Sequence, residues 1–309
     1  MHSQFNLITD SCCDLPKAYL DLHNVGVLHF TYTESGKPDG GLSGVDDLFE
    51  KRSAHEFYDA IRAGAKPMTS QPSPAEFESV FRDALATGIP TVYLAFSSGI
   101  SGCYEGAMAV LGRLKEELGE DIPLYVVDSR LASTAQTLYI IEAIKQRDSG
   151  LTAEEMITWA EDALSRVHVV FMVDDLEALA RGGRIPSGAA KIGSILGVKP
   201  LLSIDLDGKL TMAGIARGRK KAFHRFNDLF QKVHDSELYD DVVCIGNADC
   251  PDEVPALIDM LKVSDPGIDV IQTSIGPTIG CHVGPGMMAL CFWGPDKRGS
   301  STNGADTLD

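Results

Sequence analysis

The chain has 309 residues, 44% of them hydrophobic and 23% charged, with a formal net charge of −17. That acidity excludes nonspecific binding to nucleic-acid phosphates or to anionic membranes, so any anionic ligand must be attracted locally. No run of 18 apolar residues offers a membrane span.

In chain order, Phe5–Thr9 reads as a strand ending at Asp10-Ser11, and Leu15–Leu22 as a short helix with an early Pro16. Val25–Tyr32 is a second strand, and a glycine-rich loop over 36–44 leads to a helical pattern over 45–63. Pro74 opens a helix through Ala86 behind the N-cap Ser73. Thr91–Phe96 is a buried-strand run, 101–118 is helical, Leu124–Val127 is a strand and 132–145 is helical. Strands separated by helices of this length predict a mostly parallel sheet, with any ligand beyond the carboxyl ends of its strands.

The second half reads differently. Residues 154–167 are helical, His168–Val173 is a strand, and Gly182-Gly183 stops a short helix over 174–181. A small-residue helix is expected from Gly188-Ala189-Ala190 to Leu196. Two apolar runs flank Asp205-Leu206-Asp207-Gly208, a hairpin signal. Helix and strand patterns then alternate through 217–233, 242–246, 254–261 and 270–273. The expected architecture is α/β in two domains, with the boundary within 150–168. Residues 1–165 form a mostly parallel sheet domain and 166–295 a mixed α/β domain. The polar, Gly/Ser-rich tail from Asp296 to Asp309 is expected to be disordered.

Met1-His2-Ser3-Gln4-Phe5 lacks the basic start and apolar block of a secretory signal. Seven cysteines without CxxC or zinc-like spacing point to a reducing cytoplasm and to no structural metal. Cys12 and Cys13 read as small residues behind a turn.

Four loops carry the chemistry. They are Thr9-Asp10-Ser11, the Thr69–Pro74 segment, the Ser97-Ser98-Gly99-Ile100-Ser101-Gly102 segment, and Gly276–Gly286. The last reads as a loop between two strands, holding His282 among glycines and prolines. Ser101 opens a helix, where free N–H groups favour an anion, although capping explains it nearly as well. Thr69 precedes the Ser73 cap and is not explained by it.

In order and spacing these segments resemble the DegV family. The resemblance rests on Thr9-Asp10-Ser11…Asp14-Leu15-Pro16, Thr69-Ser70-Gln71-Pro72-Ser73 and Ser97-Ser98-Gly99-Ile100-Ser101-Gly102. It continues through Leu179…Gly182-Gly183-Arg184-Ile185, Lys199-Pro200-Leu201-Leu202, Asp207-Gly208-Lys209 and His282-Val283-Gly284-Pro285-Gly286. Each motif alone is weak, but seven in order are specific, and they run from about Phe5 to Trp293. Two departures are Cys12-Cys13, where small hydroxyl residues or Ala are usual, and Cys281, where Thr is usual.

The resemblance implies a non-catalytic, cofactor-free lipid carrier with a long-chain fatty acid lying between two α/β domains. Its carboxylate would be held by Thr69, His282 and Ser101, with Ser98 the alternative serine and Arg184 a nearby basic residue. Such a carrier, expected as a monomer, would present the acid to a separate ATP-dependent fatty acid kinase that makes the acyl-phosphate used in bacterial phospholipid synthesis. Arg217 would face that partner. Burying about 15 methylenes yields on the order of 12 kcal/mol at roughly 0.8 kcal/mol per CH₂ before ordering costs. The carboxylate needs donors, because an unpaired buried charge is costly. Gly188, Ala189, Ala190, Gly193 and Ser194 either make room for the acyl tail or pack a helix closely.

The basic cluster Arg217-Gly218-Arg219-Lys220-Lys221 with Arg225 stands out in an acidic chain. It is either a solvated helix face or a surface for phosphate or an acidic partner. A competing reading is a serine hydrolase, with Ser101 as nucleophile, His282 as base and Asp249 or Asp128 as orienter. The nucleophile elbow is lacking, since Cys103 occupies the position of its final glycine. Nucleotide binding lacks both phosphate-loop signatures.

Overall fold

Strand and helix alternate through the first half, and that half builds a parallel sheet in the order β2-β1-β6-β7. The computed structural model describes residues 4–37, 41–174, 176–189 and 197–308. The elements are β1 (Asn6–Asp10), α1 (Lys17–Leu22), β2 (Val25–Leu28), β3 (Thr31–Thr33), β4 (Gly44–Val45), α2 (Ala54–Arg62), β5 (Met68–Ser70), α3 (Pro74–Leu85), β6 (Thr91–Ala95), α4 (Cys103–Leu118), β7 (Leu124–Asp128) and α5 (Ser133–Asp148). They continue with α6 (Ala153–Ala163), β8 (Val167–Met172), α7 (Glu177–Arg181), β9 (Val198–Ile204), β10 (Leu210–Arg217), α8 (Arg219–Val233), β11 (Val242–Asn247), α9 (Val254–Ser264), β12 (Asp269–Ser274), α10 (Pro277–Val283) and β13 (Met288–Trp293).

A second sheet runs β10-β9-β8-β13-β11-β12, antiparallel except for the parallel β11–β12 pair. Every residue of β8, β11 and β13 is buried. Such strands are covered on both faces, which is why they read as apolar runs rather than alternations. The cover on one face is α5, which packs on β8, β11 and β13 and buries nearly its whole circumference. Helix α5 therefore lies between the two sheets. Several of its polar positions are paired with the first half: Gln136 Nε2 donates to Thr9 Oγ1 and Asp10 Oδ1, and Thr137 donates to the carbonyl of Cys13. The other face is filled by a separate cluster that includes Phe223, Phe226 and Phe230 of α8 and Leu257 of α9.

Several expectations differ from the structure. The helical pattern over 45–63 narrows to α2, because Ser53 and Glu56 form a capping box that starts the helix there. Its first residue, Val45, instead belongs to β4, which joins β3 and β5 in a three-stranded sheet. The Thr69 segment is thus partly strand, with Thr69 opposite Tyr32. The loop assigned to Gly276–Gly286 contains a helix, α10, with Pro277 at its first turn and Gly284 (φ 70°) at its end.

The tail expected to be disordered packs on the second sheet over 296–308. Asp306 binds His168, and Leu308 joins the apolar cluster beneath α8. Buried contacts of this kind, rather than average composition, decide its order. The small-residue helix expected from Gly188 begins as a 3₁₀ turn at Ser187–Ala189, while Ala190, Gly193 and Ser194 lie outside the described residues.

Candidate functional site

Thr69 on β5 and His282 on α10 are 213 positions apart in the chain, and the Thr69 hydroxyl lies 2.8 Å from His282 Nε2. The contact depends on how α10 is held. A helix start leaves amides unpaired, and two of those at α10 donate to buried carboxylates of the first half. Gly276 N donates to Asp14 Oδ1 at 2.8 Å, and Thr278 N donates to Asp46 Oδ2 at 2.9 Å. Tyr58 of α2 donates to the carbonyl of Ile275 at 2.7 Å. These bonds fasten α10 to the β3–β5 side of the molecule, so that His282 faces Thr69.

The other ring nitrogen of His282 is fixed by contact. A methyl group on Gly182 would stand 2.4 Å from His282 Nδ1, so only glycine at the end of α7 lets the ring sit there. Burial is the main reason the His282 pKa falls from 6.5 to about 4, and the nearby Arg184 and Arg181 charges add to it. The imidazole is therefore neutral at physiological pH and has one N–H to donate.

Thr69 and His282 both line a cavity between the two sheets. Phe30 and Phe96 wall it from the first half, Ala132–Ala135 from the start of α5, and Val169, Phe171, Ile204 and Ala289 from the second sheet. Its surface is almost wholly apolar. Ser101 and Arg184 line this cavity and also an open polar cleft outside it, so they mark its mouth. Arg184 is half-buried and donates to the carbonyls of Ile100 and Gly182. Ser101 Oγ accepts from Cys103 N at 3.2 Å, in the capping role that competes with a ligand role.

The other residues singled out by sequence lie elsewhere. Ser98 lines the outer cleft and gives its hydroxyl to Asp128, because the end of β7 brings that carboxylate under the loop. Arg217 is exposed at the end of β10. Its neighbours in the basic cluster divide. Arg219 binds Glu253, Asp174 and the carbonyl of Gly286, and Arg225 binds the carbonyl of Leu308, whereas Lys220 and Lys221 are not buried.

The hydrolase arrangement is not assembled. Asp249 pairs with His55 and Arg62, Asp128 pairs with Ser98 and Arg130, and His282 meets Thr69 and Gly182 instead of a carboxylate. A triad needs the base oriented by a third group and bonded to the nucleophile.

Sequence reasoning missed the carboxylates behind the site. Asp10, Asp14 and Asp46 are all buried, and burial pushes them up to about 6, 8 and 6. Asp14 also accepts from Ser133 on the cavity wall. Asp10 and Asp14 flank the Cys12-Cys13 pair, and two acids so near a buried strand end were the available signal. The seven cysteines are free, six of them buried. No helix among the described residues is long and apolar enough to cross a membrane.

Comparison with known proteins matches this architecture throughout. The model of an uncharacterised protein family, DegV family COG1307, matches residues 4–294. A DegV domain-containing protein of Clostridium perfringens is 32% identical over 300 residues, covering 96% of this chain and 99% of that protein. Among solved structures, a DegV lipid-binding protein from Thermotoga maritima is similar at a TM-score of 0.79 and 26% identity, covering 95% of this chain and 99% of its own. A fatty-acid-binding DegV family protein from Thermus thermophilus is similar at 0.78 and 28%, covering 94% and 100%. A stearic-acid-binding protein from Eubacterium ventriosum is similar at 0.80 and 26%, covering 93% and 97%. On this full-length match of sequence and fold, the chain belongs to the DegV family.

Proposed function

We propose that this chain is a non-catalytic carrier of one long-chain fatty acid, with the acyl chain between the two sheets and the carboxylate at Thr69, His282 and Ser101. The observation that carries the reading is the Thr69–His282 pair, 2.8 Å apart on the wall of an otherwise apolar cavity. A carboxylate there meets a hydroxyl from Thr69, a second from Ser101 and an N–H from a neutral imidazole. Arg184 at the mouth supplies a half-buried positive charge. Donors of this kind replace the water the carboxylate loses. Lipid or fatty-acid binding by relatives of 26–28% identity supports the same ligand class.

The carrier works with a partner. It presents its acid in the cytoplasm to a separate ATP-dependent kinase that forms the acyl-phosphate, and Arg217 faces that kinase. Arg217, Lys220 and Lys221 are the solvent-facing part of the basic cluster and support a surface for an acidic or phosphate-bearing partner.

Mass spectrometry of an organic extract from the purified, heat-denatured protein tests the ligand class. A long-chain fatty acid near one per chain is expected. An extract without lipid, together with no stearate uptake by the delipidated protein, would overturn the reading.

A further inference from the structure

The match to the family ends at residue 294, and the chain continues beyond it. The segment beyond that point fills a gap in the second sheet. Strands β8 and β9 pair at Phe171↔Leu202 and Met172↔Leu201 and then stop. Continuing that antiparallel register would join Val170 to Ser203 and Val169 to Ile204. Instead the strands part, and Asp306 occupies the fork. Its Oδ1 lies 2.6 Å from His168 Nδ1, and its Oδ2 accepts from Val169 N at 3.0 Å. Its own N–H donates to Ser203 Oγ at 3.1 Å. A buried strand amide left by the parted ladder needs such a partner.

The segment also grips the β9–β10 hairpin, at its tip through Leu206 and along β10 through Ala213. Leu206 N donates to the carbonyl of Asn303 at 2.8 Å, Gly304 lies against the Leu206 side chain, and Leu308 N donates to Ala213 O at 2.8 Å. On its other side the tip meets the loop that precedes the cavity mouth. Ser97 Oγ donates to Gly208 O at 2.8 Å, and a methyl group on Gly99 would stand 2.5 Å from that same carbonyl oxygen. Ser101 N donates to Ser97 O at 3.2 Å, so the mouth serine hangs on this contact.

We infer that residues 296–308 form a wedge that sets the fork between β8 and β9, and that Asp306 thereby positions the Ser97–Ser101 loop at the cavity mouth. Without the wedge, β8 and β9 can zip further and draw the hairpin tip off the loop. The segment is thus a positioning device outside the part of the chain shared with the family model.

Hydrogen exchange on the full-length protein tests it without any ligand. In Asp306→Ala, amides of 97–101 and 205–209 should exchange roughly tenfold faster or more, while those of β1 and β6 keep their rates. Faster exchange at 205–209 with 97–101 unchanged overturns the inference, as does uniform acceleration through both sheets. If the variant does not fold, the unaltered chain in mild denaturant decides. The amides of Val169, Leu206, Leu308 and Ser101 should then share one opening event, and separate events overturn the inference. A further arm rests on the fatty-acid reading. Stearate should leave Asp306→Ala faster than wild type. If neither protein binds stearate, the carrier reading fails while the exchange result stands on its own.

Discussion

His282 Nδ1 lies against the α-carbon of Gly182, and the approach leaves no room for a methyl group. The end of α7 thus fixes the ring that α10 carries, and the opposite nitrogen is left to face Thr69. Gly182→Ala should displace the imidazole while leaving the cores intact. The expected result is stearate binding weakened by roughly tenfold, the scale of a partly lost hydrogen bond to a charged group, with a nearly unchanged melting temperature. Wild-type affinity in this variant would show that the ring position does not matter.

Removing a donor from the head-group site should have a larger effect. Thr69→Ala, Ser101→Ala and His282→Ala should each cost about 1.5–3 kcal/mol, or roughly 10–100-fold in Kd, because each takes a hydrogen bond from a carboxylate. Ser98→Ala should leave affinity unchanged, since its hydroxyl is engaged by Asp128. Competition against a fluorescent fatty acid measures all four. Loss in Ser98→Ala with none in Ser101→Ala would reverse the choice of serine.

The histidine should titrate low. Its folded pKa of about 4 lies below the ordinary 6.5, so its contribution to stability is present above pH 6.5 and fades as the pH falls toward 4. NMR of the ligand-free protein should show a His282 midpoint near 4, moved upward when stearate brings a negative charge beside the ring. A midpoint near the ordinary value of about 6.5 would mean the ring is solvated.

The buried carboxylates act in the opposite sense. Asp14 rises from 3.8 to about 8, and Asp10 and Asp46 rise to about 6. In the unfolded chain these groups ionise near 3.8, while in the fold they hold their protons to higher pH. Stability from this cluster is therefore greatest at low pH and declines as pH rises from about 4 to 8. Asp14→Asn keeps an acceptor for Gly276 N and tolerates the left-handed backbone at this position (φ 54°). It should raise the melting temperature at about pH 8 relative to wild type and change little at about pH 4. An equal shift at both pH values would show that ionisation is not involved.

Arg217 and Arg219 are near neighbours with different expected phenotypes. Arg219→Ala should lower stability, because it leaves Glu253 and the Gly286 carbonyl without their partner. Arg217→Ala should keep stability and stearate affinity and slow acyl-phosphate formation with a cognate kinase. Equal losses of lipid binding and phosphorylation in Arg217→Ala would count against a partner-facing role.

How much of this was legible in the sequence depended on the range of each interaction. The alternation of β1, β6 and β7 with helices was readable because it is local, and so was the hairpin at Asp205–Gly208. Helix α10 gives no local signal, because it is one short element in a Gly- and Pro-rich segment and is held by Asp14, Asp46 and Tyr58 far away in the chain. The strand character of Thr69 was hidden for a similar reason, since three residues of β5 carry no periodicity and depend on pairing with β3. The tail's composition signals disorder, whereas its order comes from long-range contacts such as those of Asp306 and Leu308. Only the family resemblance points to Thr69 and His282 together, because no local pattern signals a contact 213 residues apart.

A crystal structure of the complex with a terminally brominated long-chain fatty acid tests the central claim most directly. The carboxylate should lie within hydrogen-bond distance of Thr69 Oγ1 and His282 Nε2, with the bromine peak inside the cavity walled by Phe171 and Ala289. A bromine peak on the outer surface, or a carboxylate bound away from both residues, would contradict it.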